Sequence, residues 1–221
     1  MVILAIDTAT LFATVAITNG ESVLAEINLG INKKHSERLL AAIDFAIKES
    51  GVKLSELTGV VVSAGPGSFT GLRIGMSMAM GIAEGQGIPL LSISTLRGLA
   101  EQTRQFEGII IPLLDAQRSQ YYGAMYSSHR GELIQLQREQ AIDLTELTAW
   151  VGERQNVILV GEAAPTVSKM INQSIYSHLL TPRASILGVL ASREPYKLAF
   201  KHPANITINY VRPSSAKPKG E

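Results

Sequence analysis

VILAIDTATLFATVAITNGESVLAEIN, residues 2–28, decides the fold. VILAI is an unbroken apolar run of strand length that ends at Asp7. ATVAIT, 13–18, predicts a second strand. Asn19-Gly20 follows as a strong hairpin signal, because both residues tolerate the positive φ of a tight turn. Ser22 to Asn28 then supplies a third strand, so the chain opens on an antiparallel meander. A helix is expected next, with Ser36 as N-cap, Leu39, Leu40, Ile43, Ala46 and Ile47 along one face, and Gly51 as its stop. Strand 60–64, a helix from about Thr70 to Glu84 and strand 89–93 follow. A further helix starts near Thr95.

The order then restarts. IIIPLL, 109–114, predicts a buried strand ending at Asp115, and YYGAMYS, 121–127, its neighbour. A turn around His129-Arg130-Gly131 leads to strand 132–137, then helix 144–151, strand 157–160 before Gly161, and a helix from Thr166 to about Ile175. A βββαβα unit thus occurs twice, each first strand closing on an aspartate. The two halves share negligible identity, so the duplication rests on element order and on Asp7 and Asp115. The expected architecture is α/β, and the doubled unit resembles the layout of the actin-like ATPase superfamily, in which two such lobes face each other across a cleft. Residues 1–104 form the first lobe and 105–213 a second lobe cut short, while the polar SSAKPKGE, 214–221, is expected to be a mobile tail.

Composition narrows the function. Among 221 residues, 46% are hydrophobic and 18% charged, which fits a packed globular chain. The net charge of +1 argues against a protein that holds nucleic acid alone by counterion release. With no cysteine, thiolate metal sites, disulfides and cysteine nucleophiles are excluded. MVILAID lacks a basic leader, and no apolar run approaches the ~20 residues of a membrane span, so a cytoplasmic protein is expected.

GPGSFTGLRIG, Gly65 to Gly75, sits between a strand and a helix, where a phosphate cradle would sit. It fits none of the familiar ones. A Walker loop needs Gly-Lys-Ser/Thr, but Gly71 precedes Leu72-Arg73. A dinucleotide fingerprint needs G-x-G-x-x-G, and Gly71 stands one residue too far. A nucleophile elbow needs G-x-S-x-G, which Ser68 does not satisfy. The stretch reads instead as a tight turn that launches a helix capped by Ser68 or Thr70. Beyond it Gly71, Gly75, Ala79 and Ala83 recur every four residues beside Met76 and Met80. Such a stripe admits a close neighbour, either within its own lobe or on another subunit.

This stretch closely resembles the signature of the TsaB (YeaZ) family. LAIDTAT at 4–10, HSERLL at 35–40, LLDAQRSQYYGAMY at 113–126 and NYVRP at 209–213 resemble the same family in order along the chain. The resemblance implies an actin-like (ASKHA) two-lobed fold and a role in forming threonylcarbamoyladenosine, t6A, at position 37 of tRNA. It implies a non-catalytic subunit that binds the catalytic paralogue TsaD, with the ATPase TsaE joining the pair, and that self-associates as a homodimer when isolated. tRNA would be reached through the complex, which uses ATP and threonylcarbamoyl-adenylate, while this chain alone binds no cofactor. The expected interface comprises Ser36, Leu39, Leu40 and Ile43 on the first helix. On the second it comprises Gly71, Leu72, Gly75, Met76, Ala79, Met80 and Ala83.

The residues also bear on catalysis directly. TsaD enzymes resemble H-x-x-x-H where this chain has His35 and then Leu39, so one of two metal ligands is missing. Actin-like ATPases carry a glycine in the first hairpin turn, where backbone closes on phosphate. Here Asp7-Thr8-Ala9-Thr10 and Asp115-Ala116-Gln117-Arg118 have none, and Gly161-Glu162-Ala163-Ala164 has one glycine where a pair would serve adenosine. Asp7, Thr10, Asp115 and Arg118 are expected as a vestigial cleft, Arg118 being placed to pair with Asp115 or to reach a phosphate. The alternative is a nucleotide-dependent enzyme that works through that cleft.

Overall fold

The computed structural model describes residues 1–30, 35–171, 176–194, 196–209 and 211, and only the backbone of 35–37. Its strands fall into two sheets of five. The first sheet holds β1 (Val2–Asp7), β2 (Phe12–Asn19), β3 (Ser22–Gly30), β4 (Gly59–Ser63) and β5 (Leu90–Ile93), in the order β3-β2-β1-β4-β5. The second holds β6 (Gly108–Asp115), β7 (Tyr121–His129), β8 (Glu132–Ile142), β9 (Val157–Val160) and β10 (Tyr176–His178), in the order β10-β9-β6-β7-β8. The first strand of each copy is central, antiparallel to the second and parallel to the fourth. The doubled unit is therefore real at the level of topology, and not only of element order.

The helices are α1 (His35–Ser50), α2 (Phe69–Gln86), α3 (Thr95–Glu101), α4 (Leu144–Val151), α5 (Ala164–Met170) and α6 (Ala184–Ala191). Helix α1 starts one residue before the expected cap, so Ser36 lies in its first turn. The first hairpin turns on Gly20 and Glu21 between paired Asn19 and Ser22, one place later than expected. Gly20, at φ 58°, takes the positive-φ position there. Shortening in the second copy takes the form of brevity: α4 and α5 have 8 and 7 residues where α1 and α2 have 16 and 18.

Alternate residues of each central strand serve two separate cores. Leu4, Ile6, Val60 and Val62 pack beneath α1 and α2, against Leu39, Ile43, Ala79 and Ala83. Ile3, Ala5, Val61 and Ile93 face the other way, onto Ala184, Leu187 and Leu190 of α6. In the second sheet, Ile111, Leu113 and Leu159 meet α4 and α5, whereas Ile110, Leu114 and Tyr126 meet Leu96 and Leu99 of α3. Each sheet is thus covered on one side by a helix from the other copy. The Thr14 hydroxyl takes the Ala184 N–H at 2.9 Å, and the buried Glu26 carboxylate takes the Ser185 N–H at 3.1 Å and pairs with Arg183. Two donors at the start of α6 are satisfied in this way. Residues beyond α6 then return along the first lobe: Leu90 and Lys201 exchange backbone hydrogen bonds at 2.9 and 3.0 Å, and the Asn209 N–H reaches the Ala64 carbonyl at 2.8 Å.

Candidate functional site

Ser68 caps α2, its hydroxyl accepting the Gly71 N–H at 3.2 Å. The start of the helix lies on the β1–β2 turn. The Ser68 N–H donates to the Ala9 carbonyl at 2.7 Å, and the buried Thr8 hydroxyl donates to the Gly71 carbonyl at 2.8 Å. A methyl group at Gly67 would overlap Ala9, one at Gly71 the Thr8 carbonyl oxygen, and one at Gly75 the Thr8 hydroxyl. These glycines therefore exist so that helix and turn can touch.

That placement turns most of the expected docking face inward. Gly71, Leu72, Gly75, Met76, Ala79 and Ala83 are buried in this chain, as are Leu39 and Ile43, and Met80 is half-buried. The four-residue period identifies a stripe but is the same whether the stripe meets its own sheet or another molecule. Of the expected interface residues, Leu40 is exposed, at 56%. The side chain of Ser36, like that of His35, lies outside the described residues. What faces outward is the opposite side: Phe45, 51% exposed, on α1, and Arg73, Ser77, Gly81 and Gly85 on α2, flanked by half-buried Ile74 and Met78. Among the described residues, nothing lies within 4 Å of a methyl group built on Gly81 or Gly85. The Arg73 guanidinium lies 3.9 Å from the centre of the Phe69 ring. Ser77, Gly81 and Gly85 repeat the same spacing as the inward stripe, a signal present in the sequence that the first stripe overshadowed.

The cleft residues divide sharply. Asp7 is buried, with its carboxylate accepting the Ala9 N–H at 2.9 Å, and Thr10 accepts the Phe12 N–H at 3.2 Å. The turn's polar groups are thus spent on its own shape and on α2. Asp115 is exposed and accepts the Gln117 N–H at 2.7 Å; among the described residues it forms no ion pair with Arg118. Gln117, Arg118 and Ser119 have φ of 61°, 55° and 58°, three successive left-handed residues without glycine. Glu162, half-buried next to Asp115, was missed in the sequence. Burial raises its carboxyl, the Asp115 backbone opposes this and the Asp115 charge adds to it. Of the remaining histidines, His129 pairs with Glu107 at 3.0 Å, His202 accepts the Ala204 N–H at 3.3 Å, and His178 is exposed on β10.

Burial pushes the Asp7 carboxyl up to about 7, against the Ala9 N–H and the neighbouring Ser63 hydroxyl, which pull it down. The folded chain therefore keeps a proton on Asp7 that the unfolded chain releases near pH 4. Its contribution to stability is complete below that and is lost as pH rises toward 7, with no further change above. Thermal melts from pH 4 to 8 are expected to show Asp7→Asn gaining on the wild type across this window, by roughly 2 kcal/mol at pH 6. Parallel curves would mean that Asp7 stays ionised in the fold.

The topology and the two aspartate-terminated strands define a two-lobed protein of actin-like architecture. The family model for TsaD, tRNA N6-adenosine threonylcarbamoyltransferase, matches residues 22–206. The tRNA threonylcarbamoyladenosine biosynthesis protein TsaB of Bacillus subtilis (strain 168) is 34% identical over 159 residues, 72% of this chain and 69% of that protein. Its namesake in Escherichia coli (strain K12) is 36% identical over 128 residues, 57% of this chain and about half, 55%, of that protein. Among solved structures, YeaZ from Pseudomonas aeruginosa superposes with a TM-score of 0.79 at 24% identity, covering 93% of this chain and 98% of that one. The chain belongs to the TsaB (YeaZ) family. No helix among its described residues is long and apolar enough to cross a membrane.

Proposed function

We propose that this chain is a non-catalytic subunit in the biosynthesis of t6A37 in tRNA. It docks on the catalytic paralogue TsaD through α1 and α2, and TsaE joins that pair. ATP and threonylcarbamoyl-adenylate serve the complex, in the cytoplasm, and this chain holds neither by itself. The observation that carries the reading is the outward side of α1 and α2. Leu40 and Phe45 are half-exposed on α1, and the exposed side of α2 carries small residues that let another helix approach closely. The name of the Bacillus subtilis relative supports the pathway.

The test is t6A formation on a substrate tRNA with matching TsaD, TsaE, ATP and threonylcarbamoyl-adenylate, with and without the chain. Product is expected only with it. Phe45→Glu, a surface change, is expected to lose both complex and product, whereas Asp7→Asn keeps both. Product without the chain, or with Phe45→Glu, overturns the docking reading. Loss of product in Asp7→Asn while the complex persists would assign chemistry to the cleft instead.

A further inference from the structure

The β1–β2 turn occupies the place where a nucleotide-binding lobe would present backbone to phosphate, and here it holds a helix. Two hydrogen bonds join it to the N-cap and first turn of α2: Ser68 N–H to the Ala9 carbonyl at 2.7 Å, and the Thr8 hydroxyl to the Gly71 carbonyl at 2.8 Å. The second is unusual, because a carbonyl inside an α-helix already serves the amide four residues on. A second, sequence-distant donor on that oxygen adds nothing to the helix's own ladder. It sets where the helix sits on the lobe. The turn is itself stiff, since Ala9 is tied to the Asp7 carboxylate at 2.9 Å and Phe12 to the Thr10 hydroxyl at 3.2 Å. Thr8 is fully buried, and its hydroxyl also abuts Gly75, one further turn along α2. One side chain thus fixes both the height and the rotation of the first half of α2. On the side of α2 away from Thr8, Arg73, Ser77 and Gly81 are exposed. A helix is about 10 Å across, so a small tilt at the seat displaces that outer side by a comparable amount.

We propose that Thr8 is the positioning residue that sets the outward face of α2 for its partner. The inference rests on the reading of that face as the docking surface for TsaD. Thr8→Ser keeps the hydroxyl, Thr8→Ala removes it without adding bulk, and Thr8→Val puts a methyl against Gly75. The affinity of each variant for TsaD is measured by calorimetry, alongside its melting temperature and the hydrogen exchange of amides 69–80 in the isolated chain. Thr8→Ser is expected to bind as the wild type does. Thr8→Ala and Thr8→Val are expected to bind about tenfold more weakly while still folded at the assay temperature, with faster exchange in the first half of α2. Wild-type affinity in both, or equal impairment in Thr8→Ser and Thr8→Ala, overturns the proposal. If Thr8→Val does not fold, Thr8→Ala decides. If the wild type does not bind TsaD, the docking reading fails separately. Exchange in the isolated chain then decides for Thr8: faster in Thr8→Ala supports its positioning role, and unchanged overturns it.

Discussion

Gly71→Ala is expected to lower the melting temperature by roughly 6–12 °C, and Gly81→Ala, on the same helix, to raise it by a few degrees. The substitutions are chemically identical and differ only in what the new methyl meets. At Gly71 it meets the Thr8 carbonyl oxygen, part of a buried turn that cannot retreat without breaking β1 or β2. Overpacking of this kind costs about 3 kcal/mol, and in a chain of this size each kcal/mol shifts the midpoint by about 2–4 °C. At Gly81 it meets nothing within 4 Å among the described residues. Only helix propensity is left to act, and it favours alanine by about 1 kcal/mol. Gly75→Ala should fall between the two. Its obstacle is the Thr8 hydroxyl, which can rotate away if it gives up its bond to Gly71. Gly75→Leu has no such escape and is expected to cost the fold itself, not a partner contact. Circular dichroism melts of the series decide the matter. A Gly71→Ala chain as stable as the wild type would mean that the stripe does not press on the turn.

Glu101→Ala is expected to destabilise by about 3 kcal/mol, the cost of breaking a buried ion pair from one side. Glu101 ends α3, with its side chain 7% exposed between three guanidinium groups: Arg97 at 3.3 Å, Arg104 at 3.2 Å and Arg193 at 3.1 Å. Arg193 follows α6 and reaches Glu21, in the β2–β3 turn, at 2.7 Å. Arg97 also donates to the Leu133 carbonyl at 3.3 Å and lies over the Tyr126 ring at 5.6 Å. This one carboxylate thus ties both copies of the fold together where their crossing helices end. Without it three cations converge with no common counter-charge, and the Nε of Arg97 is already buried without a partner among the described residues. Glu101→Gln keeps the shape and two hydrogen-bonding groups and should lose less. Denaturant titration with both variants separates charge from packing. Equal, small losses would show that water already screens the cluster.

Neither residue could have been assigned these roles from the sequence. Gly71 belongs to a legible stripe, but Thr8, which gives the stripe its direction, is 63 residues away along the chain. Glu101 reads as one more acid at the end of a short helix, because Arg193 is 92 residues distant. α6 escaped notice for a related reason. SILGVLA is apolar nearly all round, without the polar face that marks an amphipathic helix, because it is buried against the first sheet. Asp7 and Asp115 looked equivalent, each closing the first strand of its copy, yet one is buried and the other exposed.

By itself the sequence determined what depends on neighbours along the chain. That covers every described strand but β10 and most of the helices, the places where they turn, the doubled order of elements, and the eleven-residue signature by which the family is recognised. Periods of two and of 3.6, caps and glycines are local physics, and they survive without knowledge of the fold. The tertiary structure alone decided which side of α2 turns inward, which sheet α3 and α6 cover, and which aspartate is starved of water. Each of those depends on groups brought together from far apart in the chain. A repeat every four residues carries no direction until something stands on one side of it, and here that something is Thr8.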